Sequence, residues 1–177
     1  ERKIPPLKEG DLLKVLEIKP QQNFTQPPPR FSESSLIKEL EKKGILKSIV
    51  TQNIDNLHQK AGSENVFEFH GTMKTVTCIN PRCMHKYKTE ELDLTNLPPK
   101  CEKCGSVLKT DICFFEENPP EPAKSLSFQE ASKTDVMIIV GTSGVVHPAA
   151  LLPVTAKENG AKIIEINPDS SLLTIYG

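Results

Sequence analysis

Short apolar runs alternate with stretches of helical periodicity along most of the chain. Five runs are continuous enough to be buried strands, at residues 45–50, 66–69, 112–115, 136–140 and 163–166. The stretches between them predict helices over residues 53–60, 123–132 and 148–158, the last with Pro148 in its first turn. Continuous apolar strands that alternate with helices are typical of a parallel sheet with helices on both faces. We therefore predict an α/β fold.

The N-terminal part has a weaker pattern. Residues 11–18 predict a short helix, and the Pro- and Gln-rich residues 19–30 predict a loop. The first regular helix is expected to begin after Ser32, a favourable N-cap, because Leu36 and Leu40 then repeat at helical spacing. Gly44 is expected to end this helix.

From residue 72 to residue 109, cysteines, prolines and lysines replace the apolar periodicity. Cys78 and Cys83 form a C-x4-C pair, and Cys101 and Cys104 form a C-x2-C pair. Two such pairs joined by a hairpin supply the four thiolates that tetrahedral zinc requires. The alternative is a set of unrelated free thiols, which the clustering disfavours. Four thiolates leave no open position for a catalytic water, so we predict a small inserted module with structural zinc.

Composition and charge narrow the classes of partner. The chain has 177 residues and a formal net charge of -1, so neither nucleic acid nor a membrane surface is an expected partner. No apolar run is long enough to cross a bilayer, and the start has no signal-peptide pattern. Paired thiols without a disulfide framework favour an intracellular protein, which we expect in the cytoplasm, with the nucleus as an alternative. The fifth cysteine, Cys113, is expected to be a small core residue.

Polar residues collect where several predicted strands end. "TQNID" covers residues 51–55, His70 and Gly71 follow the second strand, "GTS" covers residues 141–143, and "NPD" covers residues 167–169. The carboxyl ends of parallel strands meet at one edge of a sheet, where open α/β sheets bind ligands. Each stretch also has a simpler interpretation: Asn53 or Asp55 as a helix cap, His70 as a half-buried histidine, and "GTS" as an ordinary turn.

The side chains at these strand ends are suited to binding and to proton transfer. Asn53 and Asp55 can together recognise a carboxamide, one donating a hydrogen bond and the other accepting one. Gly141 allows the backbone to approach a ligand closely, and the next two residues offer hydroxyls and amides to a phosphate or a ribose. His70 is a candidate general base because imidazole titrates near neutral pH.

In this order, "TQNIDNLH", "FEFHG", the two cysteine pairs, "GTSGVVHPAALLP" and "IIEINPD" resemble the sirtuins, which are NAD-dependent protein lysine deacylases. The resemblance implies a Rossmann-like parallel sheet over residues 1–71 and 110–177, incomplete at both ends, with a zinc-binding module at residues 72–109. It implies NAD as the cofactor and structural Zn²⁺. It also implies acylated lysines in proteins or peptides as substrates, whose acyl group passes to ADP-ribose as nicotinamide leaves.

The resemblance assigns roles by position. His70 corresponds to the general base that activates a ribose hydroxyl. Asn53 and Asp55 correspond to the residues that bind the nicotinamide amide, and Gln52 to a contact with the adjoining ribose. The complete cofactor-binding set is Gln52, Asn53, Ile54, Asp55, Gly141, Thr142, Ser143, Asn167, Pro168 and Asp169. The residues expected to pair with the substrate peptide as an added strand are Phe114, Phe115, Glu116, Val145 and Val146.

Two departures from the sirtuin pattern bear on function. The Gly-Ala-Gly turn that holds the pyrophosphate, and the first strand of the sheet with it, have no counterpart in residues 1–177. A protein without that turn is expected to bind NAD poorly. In addition, Glu116 stands where the family usually has Gly. The alternative prediction is therefore a catalytically silent, sirtuin-like peptide-binding module that lacks productive NAD binding.

Overall fold

A computed structural model describes residues 8–12, 14, 17, 19–20, 30–169 and 171. The chain divides into two compact units, Glu1–Arg30 and Phe31–Gly177, and all the regular elements below belong to the second. Half of the helix predicted over residues 11–18 lies outside the described residues, and the four positions described there are not helical. None of the helices in the described part of the chain is long and apolar enough to cross a membrane.

The second unit has an α/β architecture with two parallel strand pairs and one antiparallel sheet. In chain order, its elements are α1 (Glu33–Lys42), β1 (Ile49–Thr51), α2 (Leu57–Lys60), β2 (Val66–Glu68), β3 (Gly71–Cys78), β4 (Lys86–Lys88), β5 (Leu108–Ile112), α3 (Ala123–Ala131), β6 (Val136–Val140), α4 (Leu151–Glu158) and β7 (Lys162–Ile166). β1 pairs with β2 and β6 pairs with β7, both in parallel. The predicted α/β class is confirmed.

Helix α1 begins and ends at the residues that the sequence indicates. The Ser32 hydroxyl accepts a hydrogen bond from the Ser35 N–H at 3.3 Å, as an N-cap does. Gly44 adopts a left-handed φ of 63° just after the helix. The N–H groups of Ile45 and Leu46 then donate back to the Leu40 carbonyl. Because this cap uses residues 45 and 46, strand β1 begins only at residue 49. The predicted start of the strand at residue 45 was therefore wrong.

Three other predicted boundaries were wrong for local reasons. The helix predicted over residues 53–60 begins at Leu57, because Asn56 has a left-handed φ of 58°. The helix predicted from Pro148 begins at Leu151, after a run of turns at residues 147–150. The strand predicted at residues 112–115 lies at Leu108–Ile112, and it pairs antiparallel with β3 rather than joining a parallel sheet.

One hydrophobic core joins the two parallel pairs. Helix α3 contacts β2, and α4 contacts both β6 and β7. Val50, Met137 and Ile163, from three of the four strands, pack against the same cluster of buried residues. That cluster consists of Phe69, Ala131, Ala149, Leu152, Ala156 and Ala161. Its small alanines allow the two helices to lie close to both strand pairs, which fixes the strand ends relative to one another.

The outer face of the β6–β7 pair is apolar and exposed. Alternate residues of a strand point to opposite faces, and here one set packs on the core while the other faces outward. The outward set is Val136, Ile138, Val140, Ile164 and Ile166. Within residues 30–169, β6 pairs with β7 alone and β1 with β2 alone, so the parallel sheet is present as two separate pairs.

The antiparallel sheet, with the strand order β4–β3–β5, spans residues 71–112 and so extends past both ends of the predicted insert at residues 72–109. Asp111 on β5 links all three strands. Its carboxylate accepts hydrogen bonds from the hydroxyls of Thr75 and Thr77 on β3, at 2.5 Å and 2.6 Å. It also forms an ion pair with Lys86 on β4 at 3.0 Å. Burial opposes ionisation of Asp111, but the two hydroxyls and the ammonium group outweigh it and lower the pKa of this carboxyl group.

Candidate functional site

The parallel pairing of β1 and β2 brings two predicted polar stretches to one edge. Thr51 and Glu68 are partners at the ends of these strands, and the Phe69 N–H donates to the Thr51 carbonyl at 2.8 Å. Gln52 and Asn53 therefore leave the sheet on the same side as His70. This is the arrangement that the sequence predicts for the two stretches.

The ends of β6 and β7 are joined by a second set of bonds. The Gly141 N–H donates to the Ile166 carbonyl at 3.2 Å. The Asn167 side chain then holds Thr142 at two points: its Oδ1 accepts from the Thr142 N–H at 3.1 Å, and its Nδ2 donates to the Thr142 carbonyl at 2.8 Å. A side chain that satisfies both backbone groups of one residue fixes that turn firmly.

A hydrogen bond connects the two strand ends across 90 positions of sequence. The Gln52 Nε2 donates to the Thr142 Oγ1 at 3.3 Å. The "TQNID" and "GTS" stretches thus meet, although each follows a different parallel pair. The same Thr142 hydroxyl oxygen also accepts from the Gly144 N–H at 3.4 Å.

A cavity of about 280 Å³ opens at the ends of β6 and β7. Gly141 has a left-handed φ of 63°, and a Cβ atom placed on it would meet only open space. The lining of the cavity includes all six cofactor-binding residues predicted at the ends of these two strands: Gly141, Thr142, Ser143, Asn167, Pro168 and Asp169. Ser171 also lines the cavity. The prediction missed Ser171, although the hydroxyl two positions after "NPD" was a signal that could have included it.

The end of β1 combines predicted residues with one that was missed. The Asp55 carboxylate accepts from the Leu57 N–H at 3.0 Å, at the start of α2, but the N-cap of that helix is Asn56 and not Asp55. Asn53 donates its backbone N–H to the Thr51 hydroxyl at 3.1 Å. The missed residue is Asn56, which is buried in a left-handed conformation that asparagine tolerates better than most residues.

Asn56 is held in place by its side chain. Its Nδ2 donates to the Glu68 carboxylate and, at 3.0 Å, to the Thr72 hydroxyl. These bonds link the end of β1 to residues on either side of His70. They were not foreseen because the sequence gives no indication that these three polar residues meet.

The backbone around His70 is tightly constrained. The His70 carbonyl accepts from the Cys113 N–H at 2.9 Å, and the imidazole ring lies edge-on to Phe69 at 5.7 Å between ring centroids. Gly71 has a left-handed φ of 79°, and a Cβ atom there would lie 2.0 Å from the Asp111 carbonyl oxygen. Only glycine therefore fits directly after this histidine, and the close approach fixes His70 against β5.

The predicted substrate segment forms a turn after β5. The Glu117 carboxylate accepts from Lys109 at 2.8 Å and from the Phe114 N–H at 3.0 Å, and these two donors lower the pKa of Glu117. The Lys109 ammonium group also lies 4.9 Å from the centre of the Phe114 ring. Phe115 is 95% exposed at the tip of the turn. Glu116 has a left-handed φ of 70°, which is an unfavourable conformation for any residue with a side chain.

The second predicted substrate segment follows β6. Val145 and Val146 are both exposed there, beyond the residues that line the cavity. The structure thus presents exposed apolar side chains in both segments. The part each segment plays in substrate binding stays a prediction.

The four cysteines of the insert fit a zinc ion. Their sulfur atoms all lie within 4.8 Å of one another, with Cys78 and Cys104 at 3.4 Å and Cys83 and Cys101 at 3.7 Å. Tetrahedral coordination at about 2.3 Å would place thiolate sulfurs about 3.8 Å apart, close to these distances. Cys113 is outside this cluster. The arrangement matches the donor set that the spacing predicts.

The thiols of this cluster differ in their acidity. Burial raises the pKa of Cys78 to about 12, whereas hydrogen bonds from Ser106 lower the pKa of Cys104 to about 6. Zinc binding requires the loss of protons from the less acidic thiols.

Comparisons with known proteins agree with the geometry. The Sir2 family profile matches residues 17–148. The NAD-dependent protein deacylase of Pyrococcus furiosus is 42% identical over 166 residues, which are 91% of this chain and 62% of that protein. The corresponding deacylase of Aeropyrum pernix is 46% identical over 134 residues, which are 76% of this chain and 54% of that protein.

Solved structures show the same fold. A Sir2 homologue in complex with NAD has a TM-score of 0.72 at 43% identity, over 78% of this chain and 53% of its own. Sir2Tm bound to a propionylated peptide has a TM-score of 0.73 at 38% identity, over 78% of this chain and 59% of its own. The chain thus spans between 53% and 62% of the length of these relatives. The profile match, the identity and the shared fold together establish that this protein belongs to the Sir2 family, the sirtuins.

Proposed function

We propose that this chain acts as an NAD-dependent protein lysine deacylase that transfers the acyl group of a modified lysine to ADP-ribose. The observation that carries the proposal is the hydrogen bond from Gln52 to Thr142. It joins the polar ends of β1 and β6 beside the cavity at Gly141, so that groups suited to both halves of a dinucleotide lie together. The names of the relatives, which are NAD-dependent protein deacylases, support the same activity.

The residues of the site fit the parts of NAD. NAD supplies the ADP-ribose that accepts the acyl group, with nicotinamide as the leaving group. The open space at Gly141 and the hydroxyls of Thr142 and Ser143 suit the adenosine side. Asn53, Ile54 and Asp55 follow β1 and would contact the nicotinamide, and Gln52 would contact its ribose. One carboxylate oxygen of Asp55 accepts from the Leu57 N–H, and the other can accept from the nicotinamide amide.

His70 would act as the general base. Its backbone is fixed by the Cys113 N–H and by the close approach of Gly71 to β5. A neutral imidazole held in this way can take the proton of a ribose hydroxyl, which makes that hydroxyl a better nucleophile toward the acyl carbon. His70 lies at the edge where Gln52 and Asn53 leave the sheet, as this role requires.

The acylated peptide would add a strand between the two exposed segments. Phe114, Phe115 and Glu116 would line one side, and Val145 and Val146 the other. The Glu117–Lys109 ion pair holds the first segment in its turn.

The cellular location follows from the chemistry of the cysteine cluster. We also propose an intracellular location, because reduced thiols are needed for the zinc site. Cell fractionation that recovers the protein only outside the cell would contradict it.

A titration of NAD into the purified chain tests the cofactor site. Thr142→Val removes the hydroxyl that joins the two strand ends, and we expect roughly 10-fold weaker NAD binding, as for the loss of one or two hydrogen bonds. Thr75→Val is the control, because it removes a hydroxyl that bonds to Asp111 and lies outside the proposed site, and its NAD affinity should stay within about twofold of wild type. Equal affinity of wild type and Thr142→Val would contradict the proposed site.

The alternative function is a peptide-binding module without productive NAD binding. The exposed apolar side chains of Phe115 and Val145, one in each predicted peptide-binding segment, favour it. Titration of an acetyl-lysine peptide in the presence and absence of NAD distinguishes the two. A chain that binds the peptide but shows no affinity for NAD supports the module, whereas peptide binding together with NAD binding supports the enzyme.

A further inference from the structure

Tyr87 is the one tyrosine among the described residues of the cysteine module, and its ring packs beside the sulfur cluster. It lies on β4, opposite Val76 of β3. Its ring contacts the small core formed by Val76, Cys78, Cys101 and Leu108, and the imidazole of His85 lies edge-on to it at 4.7 Å. The ring is therefore held on both sides, which fixes the direction of its hydroxyl group.

The Tyr87 hydroxyl has two hydrogen-bond partners in the module. The Glu102 N–H lies 3.1 Å from the Tyr87 oxygen, and a backbone N–H can only donate, so the oxygen accepts this bond. The same oxygen lies 3.3 Å from the Cys101 sulfur. A Cys101 thiolate bound to zinc carries no hydrogen, so in the zinc-bound protein the Tyr87 hydroxyl is the donor of this pair.

We propose that Tyr87 is a positioning residue of the zinc site, which donates its hydroxyl hydrogen to the metal-bound Cys101 thiolate. Cys101 is only 2% exposed, so water cannot easily replace this donor. A thiolate that binds zinc retains negative charge, and a fixed O–H donor stabilises that charge. The backbone of Cys101 is fixed as well, through bonds of 2.7 Å to Ser106 and Gly105. Tyr87 would therefore fix the direction of one zinc ligand and stabilise its negative charge.

The zinc affinity of the intact chain tests this role. Tyr87→Phe keeps the ring and removes the hydroxyl, and we expect zinc to bind about 10- to 100-fold more weakly in competition with a chromophoric chelator. Thr75→Val is the matched control, because it removes a hydroxyl from the adjacent strand that bonds to Asp111 and not to a cysteine. We expect its zinc affinity to stay within about twofold of wild type.

Cobalt substitution separates a direct effect on the thiolate from a general loosening of the module. A donated hydrogen bond stabilises the thiolate electrons, so its loss should move the thiolate-to-cobalt charge-transfer band of Tyr87→Phe to longer wavelength. The band of Thr75→Val should not move. An unchanged band in Tyr87→Phe would overturn the proposal, whether or not affinity falls, and so would a zinc affinity equal to that of wild type.

Discussion

At the residue scale, glycine and histidine act together at the end of β2. The left-handed backbone of Gly71 and its contact with the Asp111 carbonyl oxygen bring His70 against β5. Sequence alone identifies His70 as a candidate base, because it follows an apolar strand. It does not identify why the next residue must be glycine, since the contact is with a residue 40 positions away.

Replacement of Gly71 should destabilise the protein through steric overlap. Comparison with a second glycine, Gly160, separates that overlap from the effect of the left-handed backbone. Gly71→Ala and Gly160→Ala both place a side chain in the left-handed region, but a Cβ atom at Gly160 meets nothing within 4 Å. We expect Gly71→Ala to lose about 1–3 kcal/mol more unfolding free energy than Gly160→Ala, because only Gly71 is overpacked. Urea denaturation of both variants measures this difference. Equal losses of unfolding free energy would show that the backbone at Asp111 moves away from the new Cβ atom without destabilising the protein, and would contradict the steric argument.

At the element scale, local capping determines where helices and strands begin. The apolar runs correctly indicated β2, β6 and β7 to within a residue, and Ser32 correctly indicated the start of α1. The shortened α2 and the displaced β5 could not be predicted, because they depend on the buried Asn56 network and on the pairing of β3 with β5. The hydrogen bonds and ion pair of Asp111 across three strands could not be predicted either, because hydrophobic periodicity does not show which polar side chains meet.

The turn after β5 offers a test in which a substitution should stabilise the protein. Glu116 has a φ of 70°, which costs a residue with a side chain about 1–2 kcal/mol. We expect Glu116→Gly to raise the unfolding free energy by roughly 0.5–1 kcal/mol. This gain is the relieved strain minus the larger conformational entropy that glycine loses on folding. Glu116→Ala keeps the strain and should differ little from wild type. A Glu116→Gly variant less stable than Glu116→Ala would contradict the strain argument.

At the scale of the whole molecule, two arrangements were predictable because their signals are chemical. The cysteine spacing indicated the zinc module, and the ordered polar stretches indicated the family and the edge of the sheet that carries them. The bond between Gln52 and Thr142 was not predictable in detail, because it depends on how two parallel pairs pack on one core.

Loss of the metal should affect the whole unit. Cys101→Ser removes one of four ligands, and we expect loss of bound zinc and a melting temperature at least about 10 °C lower, because several kcal/mol of folding free energy depend on the metal. Cys113→Ser is the control, since Cys113 is outside the cluster, and it should keep one zinc per chain. Metal analysis and thermal denaturation check both. Retention of one zinc per chain in Cys101→Ser would exclude the four-thiolate site.

The measurement that tests the proposed activity most directly is mass spectrometry of the products after this chain is incubated with NAD and an acetyl-lysine peptide. We expect deacetylated peptide and O-acetyl-ADP-ribose in equal amounts with wild type, and loss of both with the folded His70→Ala variant. Absence of both products with wild type, or their undiminished formation by His70→Ala, would contradict it.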